Sequence, residues 1–352
     1  MKGAPAVADG LAVPDFGVRL APYRELVASW LRDIVPDREP KRYLYDLIAD
    51  HLSRAGKGLR PALCIVTCRA FGGDVDDVLP IAAGLEMLHN AFLVHDDIED
   101  GSQFRRDRPT MHEAHGIPLA VNVGDAMQAL SIRLVRQSSQ RLSPELAWQL
   151  FDEFDRMLME SLEGQAMELG WVRDNDSTVG QDDYLLMTLK KTCWYSFMQP
   201  CRLGALVARP SDPDLDRFNK FGYFLGVAFQ IQDDVLNLIG EEKKYGKEIA
   251  GDLWEGKRTL ILVDLFSKLD RFEADRLRSI LAKSRTQRVA RDIAWIQDRI
   301  QKYGSVEHAR GIAREFAEAA AREFDVAFRD APEGEDKGFV RDLVDYVVAR
   351  EL

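Results

Sequence analysis

The stretch Leu85–Asp100, LEMLHNAFLVHDDIED, runs through apolar positions into four acidic side chains within its last five residues. Asp96 and Asp100 are four apart, so on a helix their carboxylates share one face, one turn apart. Like charges so close repel each other and weaken a bare helix. They also follow the apolar residues Ala91–Val94, which argues that the helix is partly buried. Buried like charges need a counter-charge. Hard carboxylate oxygens suit Mg²⁺, which commonly shares its shell with phosphates. Taken alone, such a cluster is equally the solvated acidic end of a helix.

A second stretch changes that balance. Phe224–Leu238, FLGVAFQIQDDVLNL, again ends an apolar helical run in two aspartates, Asp233 and Asp234, with Asn237 four after Asp233. A solvated face is not normally prefaced by Leu225, Val227, Ala228, Phe229 and Ile231. If the fold brings the two clusters face to face, they form a cage for more than one metal ion around a polyphosphate.

The rest of the chain reads as helix. Ser143 caps a segment with Pro144 at its first position and an apolar stripe of Leu146, Leu150, Phe154 and Met157. Ile312, Ala313, Phe316, Ala320, Phe324 and Phe328 form another stripe. No alternating strand pattern and no Asn-Gly or Asp-Gly hairpin signal is present. The breaks at 72–76, 173–181, 208–213, 240–257 and 330–338 are too short for interdomain linkers. The expectation is all-α: one large helical domain over residues 19–352, after a loose tail at 1–18.

Composition narrows the function classes. The 352 residues carry 47 basic and 58 acidic side chains, a net charge of −11, which disfavours nucleic acid and anionic membrane as partners. No apolar run looks long enough to span a bilayer. Cys64, Cys68, Cys193 and Cys201 do not form a disulfide framework and read as reduced, in a cytoplasmic protein.

An acidic cage accounts for metal; a diphosphate also needs cations. The chain offers Gly56-Lys57-Gly58-Leu59-Arg60-Pro61, Arg105-Arg106 shortly after the first cluster, Lys191-Thr192, and Lys247 and Lys257 after the second. Each alone reads as a surface charge, and His89 alone as a boundary histidine. Their order is what is specific.

In that order the chain resembles the trans-isoprenyl diphosphate synthases of the polyprenyl synthetase family, the geranylgeranyl-forming members most. The matching elements are Lys57 and Arg60 of a GK-x-x-R turn, the Asp96–Asp100 box, Arg105-Arg106, Lys191-Thr192, Gln230–Asp234 of an FQ-x-x-DD box, and Gly256-Lys257. The resemblance implies an all-α fold of many antiparallel helices around a deep central cavity, usually a homodimer. It implies Mg²⁺-dependent head-to-tail condensation of isopentenyl diphosphate with dimethylallyl, geranyl or farnesyl diphosphate. Three Mg²⁺ ions are implied, on Asp96, Asp100 and Asp233, with Asp97 and Asp234 supporting. Arg105, Lys191, Lys247 and Lys257 are implied for the allylic diphosphate, and Lys57, Arg60, His89 and Arg106 for isopentenyl diphosphate. Thr192 and Gln230 are implied to line the region of the allylic cation.

Two departures stand out: Gly58 where many relatives have a second basic residue, and Asn237 where many have a third aspartate. In farnesyl-forming relatives, aromatic residues four and five before the first box floor the product channel; here these are Phe92 and Ala91. The small Ala91 and Asn237 favour a twenty-carbon product over a fifteen-carbon one. A farnesyl diphosphate synthase, a class I terpene cyclase and a non-catalytic synthase subunit are the alternatives. A cyclase would want a hydroxyl at position 237, and a silent subunit would have lost a box.

Overall fold

The computed structural model describes residues 16–54, 56–211, 214–240 and 249–349. The helices are α1 (Phe16–Ile34), α2 (Asp46–Ser53), α3 (Leu59–Ala70), α4 (Val75–Asp100), α5 (Met111–His115), α6 (Ile117–Gln137), α7 (Pro144–Arg173), α8 (Gln181–Thr188), α9 (Gln199–Ala208) and α10 (Arg217–Ile239). They continue as α11 (Gly251–Glu255), α12 (Leu260–Lys268), α13 (Arg271–Leu281), α14 (Ala290–Tyr303), α15 (Ser305–Ala327) and α16 (Glu335–Ala349). A π-helical stretch, Leu189–Met198, joins α8 to α9. The architecture is all-α, as the periodicity predicts.

Local chemistry sets the ends of the key helices. The Asp74 side chain accepts a hydrogen bond from the Asp76 N–H at 2.8 Å and caps α4, and Gly101 closes it in the left-handed conformation. Ser143 caps α7 by accepting from the Leu146 N–H, with Pro144 at the first position. α4 is apolar around most of its circumference and packs against α1, α3 and α6. By length and composition it could cross a membrane, contrary to the sequence expectation, but 78% of its most apolar stretch is buried inside the protein. The stripe on α15 is buried at Ala313, Ala320 and Phe324, while Ile312 and Phe316 are only partly covered.

The structure differs from the sequence expectation at three further places. α1 begins at Phe16, inside the expected 1–18 tail, because Phe16 is buried and stacks on Tyr346 at 4.7 Å. α11 interrupts the expected 240–257 break. A two-stranded hairpin, β1 (Phe104–Arg105) and β2 (Arg108–Pro109), follows α4. Its turn residues Arg106 and Asp107 both have positive φ, +53° and +61°. That is the primed turn usually signalled by Asn-Gly, and here it carries no glycine.

Among the described residues the core forms two apolar clusters. One cavity of about 1310 Å³ draws its wall from both, with Leu20 and Leu59 from the first and Tyr184 and Met187 from the second.

Candidate active site

Both aspartate clusters reach this cavity, through Asp96 on α4 and through Asp233 and Asp234 on α10. Within each Asp-Asp pair the two side chains do different things. Adjacent residues on a helix point about 100° apart, so they cannot share a face. Asp96 lines the cavity, whereas Asp97 is 1% exposed and turned into the protein. There Arg105 Nε donates to Asp97 Oδ2 at 2.8 Å and its Nη2 to Oδ1 at 2.7 Å. In the second pair, Tyr184 Oη donates to Asp234 Oδ2 and Gln230 Nε2 donates to Asp234 Oδ1, each at 2.8 Å. Thr192 Oγ1 donates in turn to Gln230 Oε1 at 2.7 Å. Asp97 and Asp234, expected to support metal, thus have carboxylate oxygens engaged by protein donors. Burial pushes the Asp234 pKa up despite both hydrogen bonds.

The Asp100 side chain, 8% exposed, is not part of the cavity wall, and Lys257 Nζ donates to it at 2.6 Å. Burial raises its pKa against the pull of that lysine. Asn237 is not part of the cavity wall. Its Oδ1 accepts from the Asp252 N–H at 3.1 Å and its backbone carbonyl accepts from the Ala250 N–H at 2.7 Å. It therefore ties α10 to α11 and brings Asp252 into the cavity wall.

The cations sit where the carboxylates need them. Lys191 Nζ bonds Glu168 and lies 3.6 Å from Asp96 Oδ1. Lys257 also pairs with Glu255 at 2.9 Å. Arg105, paired with Asp97, lies 3.7 Å from Asp96. Lys57, Arg60, His89 and Arg106 form another part of the same wall. Arg60 donates to Tyr195 Oη and Ser196 Oγ, each at 2.9 Å, stacks over the Tyr195 ring at 4.3 Å, and meets His89 Nε2 at 3.2 Å. Burial, with Arg60 and Arg106 beside it, holds the His89 pKa well below the usual range, so the imidazole is neutral. The Arg106 guanidinium donates to the Arg54 carbonyl. Lys247 lies outside the described residues.

Phe92 lines the cavity and meets Tyr195 edge-on at 5.6 Å. Ala91 does not: it is fully buried in the first core cluster. Five helical residues before Asp96 is a rotation of about 140° off its face, so the small side chain of Ala91 opens no space there.

Sequence reading missed Glu168, Tyr184 and Gln165, all in the wall. Gln165 Nε2 donates to Glu99 at 2.6 Å and reaches Asp96 at 3.4 Å. Glu168 carried a legible signal. It extends the buried stripe of Met157, Ser161 and Gly164 on α7, where a carboxylate requires a partner.

Lys191 is placed by a close approach of backbones. A Cβ on Gly164 would lie 2.7 Å from Lys191 Cα, well inside contact distance. π-helical turns are frequent at functional sites, and this one presents Lys191 and Thr192. Gly164→Ala is expected to lower the melting temperature, an overpacking cost of about 1–3 kcal/mol, and to lower turnover by displacing Lys191. Calorimetry and a rate assay on the same preparation test it; a variant with both values of the parent would contradict the tight crossing.

Among the described residues no three His, Cys, Asp or Glu side chains converge closely enough to hold a metal ion by themselves. The donors at the cavity are nevertheless hard carboxylate oxygens, beside cations able to meet phosphate. That fits Mg²⁺ whose remaining shell comes from a phosphorylated ligand.

A model of the polyprenyl synthetase family matches residues 41–296. A geranylgeranyl diphosphate synthase from Sulfolobus acidocaldarius is 31% identical over 293 residues, 83% of this chain and 85% of that protein. The crystal structure of a geranylgeranyl pyrophosphate synthetase from Pyrococcus horikoshii superposes with a TM-score of 0.84 at 29% identity, covering 96% of this chain and 99% of the other. A geranylgeranyl pyrophosphate synthase from Corynebacterium glutamicum, solved with isoprenyl diphosphate and magnesium, gives 0.81 at 25% identity, over 97% of this chain and all of the other.

Proposed function

The chain belongs to the polyprenyl synthetase family, and from that premise we propose that it condenses isopentenyl diphosphate with an allylic diphosphate, giving geranylgeranyl diphosphate. The observation that carries this reading is a single cavity whose wall combines aspartates from two helices, lysines paired to them, and a separate Lys57–Arg60–Arg106 group. One group suits each diphosphate. Incubation with Mg²⁺, isopentenyl diphosphate and allylic primers, followed by product chromatography, tests it; absence of any lengthened prenyl diphosphate would refute it.

In this reading Asp96, Asp100 and Asp233 hold three Mg²⁺ ions together with the allylic diphosphate. When bound, Mg²⁺ neutralises charge that develops on the leaving diphosphate. Lys191, Lys257 and Arg105 add fixed positive charge at the same place, and Lys247 is assigned there from its position in the sequence. Such preorganised charge lowers the barrier to C–O cleavage. Lys57, Arg60 and Arg106 bind isopentenyl diphosphate, with neutral His89 holding Arg60. Thr192 and Gln230 present oxygens toward the allylic carbon that becomes cationic. Asp97 and Asp234 fix the geometry of the boxes.

The enzyme works as a cytoplasmic homodimer. Apolar side chains exposed on two helices in contact, Ile117 and Val121 on α6 and Trp148 and Met159 on α7, support an interface between copies.

For product length, Phe92 is the bulky wall residue on the Asp96 face. Phe92→Ala is expected to shift the main product to a longer chain, because a removed ring opens room next to Tyr195. Product chromatography reads this directly. An unchanged distribution in an active variant would place the floor elsewhere.

A further inference from the structure

The isopentenyl diphosphate pocket, as assigned above, has one wall made by α1, through Gly17, Leu20 and Arg24. Their spacing of three and four residues puts them on one helical stripe. α1 is a fixed support for that stripe. Leu20 is buried, Phe16 stacks on Tyr346, and Arg19 pairs with Asp342 of α16. Arg24 sits against the Gly56–Arg60 turn. A Cβ on Gly58 would lie 3.3 Å from Arg24 Cβ and 3.6 Å from its Cγ. Gly58 has φ +67°, a conformation that side chains rarely adopt. The turn therefore contributes no side chain at that point, and the stem of Arg24 occupies the space.

Among the described residues, the one carboxylate recorded within 4.0 Å of the Arg24 guanidinium is that of its own neighbour Glu25, whose side chain is largely exposed. The pocket's own acid, Glu86, is pushed toward its neutral form by burial. A diphosphate held by Lys57, Arg60 and Arg106 thus has a further guanidinium on the wall of the same cavity. Guanidinium is the side chain best shaped for phosphate oxygens.

We infer that Arg24 is a substrate-binding residue: it donates to the diphosphate of isopentenyl diphosphate across the gap left by Gly58. This rests on the assignment of that pocket, so the experiment separates the two. Calorimetric titration of isopentenyl diphosphate into the full-length protein without primer reads binding alone, and KM for each substrate is then measured. Arg24→Met keeps the stem that packs on Gly58 and removes the charge; Arg24→Gln repeats the test with a polar side chain. Both are expected to weaken isopentenyl diphosphate binding about tenfold, the lower end for a charged hydrogen bond, with KM for the allylic primer within about twofold. Arg24→Lys should recover most of the loss. Parental affinity in the Met and Gln variants would overturn the inference while leaving the pocket assignment intact, as would equal losses for both substrates. Parental protein that does not bind isopentenyl diphosphate, or a Lys57→Ala control that binds it as well as the parent, would instead refute the pocket assignment and the inference with it.

Discussion

Asp233→Ala and Asp96→Ala are each expected to lower kcat by about a thousandfold, whereas Asp234→Asn should cost about tenfold or less. Asp96 and Asp233 lie on the cavity wall. A group that stabilises charge only as it develops is worth two to three orders of magnitude in rate. Asp234 has its oxygens taken by Tyr184 and Gln230, and an amide of the same shape can keep part of that network. Chelation by EDTA should abolish parental turnover, and added Mg²⁺ should restore it. Circular dichroism before each assay shows that the fold is intact. Equal losses at 233 and 234 would overturn the division of roles within the pair, and turnover surviving in EDTA would overturn the metal role of Asp96 and Asp233.

Lys191→Ala is expected to be the most destabilising change at the site, as well as lowering turnover about a hundredfold. Lys191 bonds Glu168, which is buried. Removing one partner of a buried ion pair leaves an uncompensated charge and costs about 3–5 kcal/mol. The loss should depend on pH in a defined direction. In the parent, burial raises the Glu168 pKa, but Lys191 and Lys257 more than offset it, so the net shift is downward. A depressed carboxylate contributes stability above its unfolded pKa that is lost as pH falls through the folded value. Without Lys191, burial dominates, the folded pKa rises, and ionisation then destabilises the protein as pH increases. The melting-temperature deficit of Lys191→Ala should therefore widen from about pH 5 to pH 8. In Lys191→Ala/Glu168→Ala most of the deficit should disappear. A pH-independent deficit, or no recovery in the double variant, would mean that Glu168 is not the source.

How much of this was legible in the chain depends on distance along it. The α4 and α10 segments are readable because apolar runs that end in paired aspartates contradict a solvated surface. That all-α reading held, and the cations met the aspartates in one cavity. The split within each Asp-Asp pair was only half legible. Helical rotation says that neighbours diverge, but nothing local says that Arg105 or Tyr184 waits on the other side. Arg105 reaches Asp97 through the hairpin, and that hairpin was invisible because Arg106 and Asp107 adopt positive φ without glycine. Tyr184 and Asp234 are 50 residues apart. Ala91 was misread because counting back from the aspartates ignored the rotation of the helix. Asn237 was legible only as a departure from the third aspartate, and nothing local showed that its side-chain carbonyl holds the Asp252 backbone in place.

The lysine–aspartate pairs at the site have a consequence for how ligands arrive. Asp100 is joined to Lys257 and Asp96 lies beside Lys191. A divalent cation approaching either aspartate alone competes with an ammonium already there. A free diphosphate approaching either lysine alone must draw it from its carboxylate. A cation and a diphosphate arriving together satisfy both sides of each pair, so each relieves the cost that the other would meet. That is heterotropic cooperativity, and it is necessarily reciprocal: the factor by which magnesium tightens the diphosphate equals the factor by which the diphosphate tightens magnesium. If the site takes Mg²⁺ and a diphosphate as proposed, these lysines act as resident counter-ions, and the site would respond to the two ligands jointly and only weakly to either one.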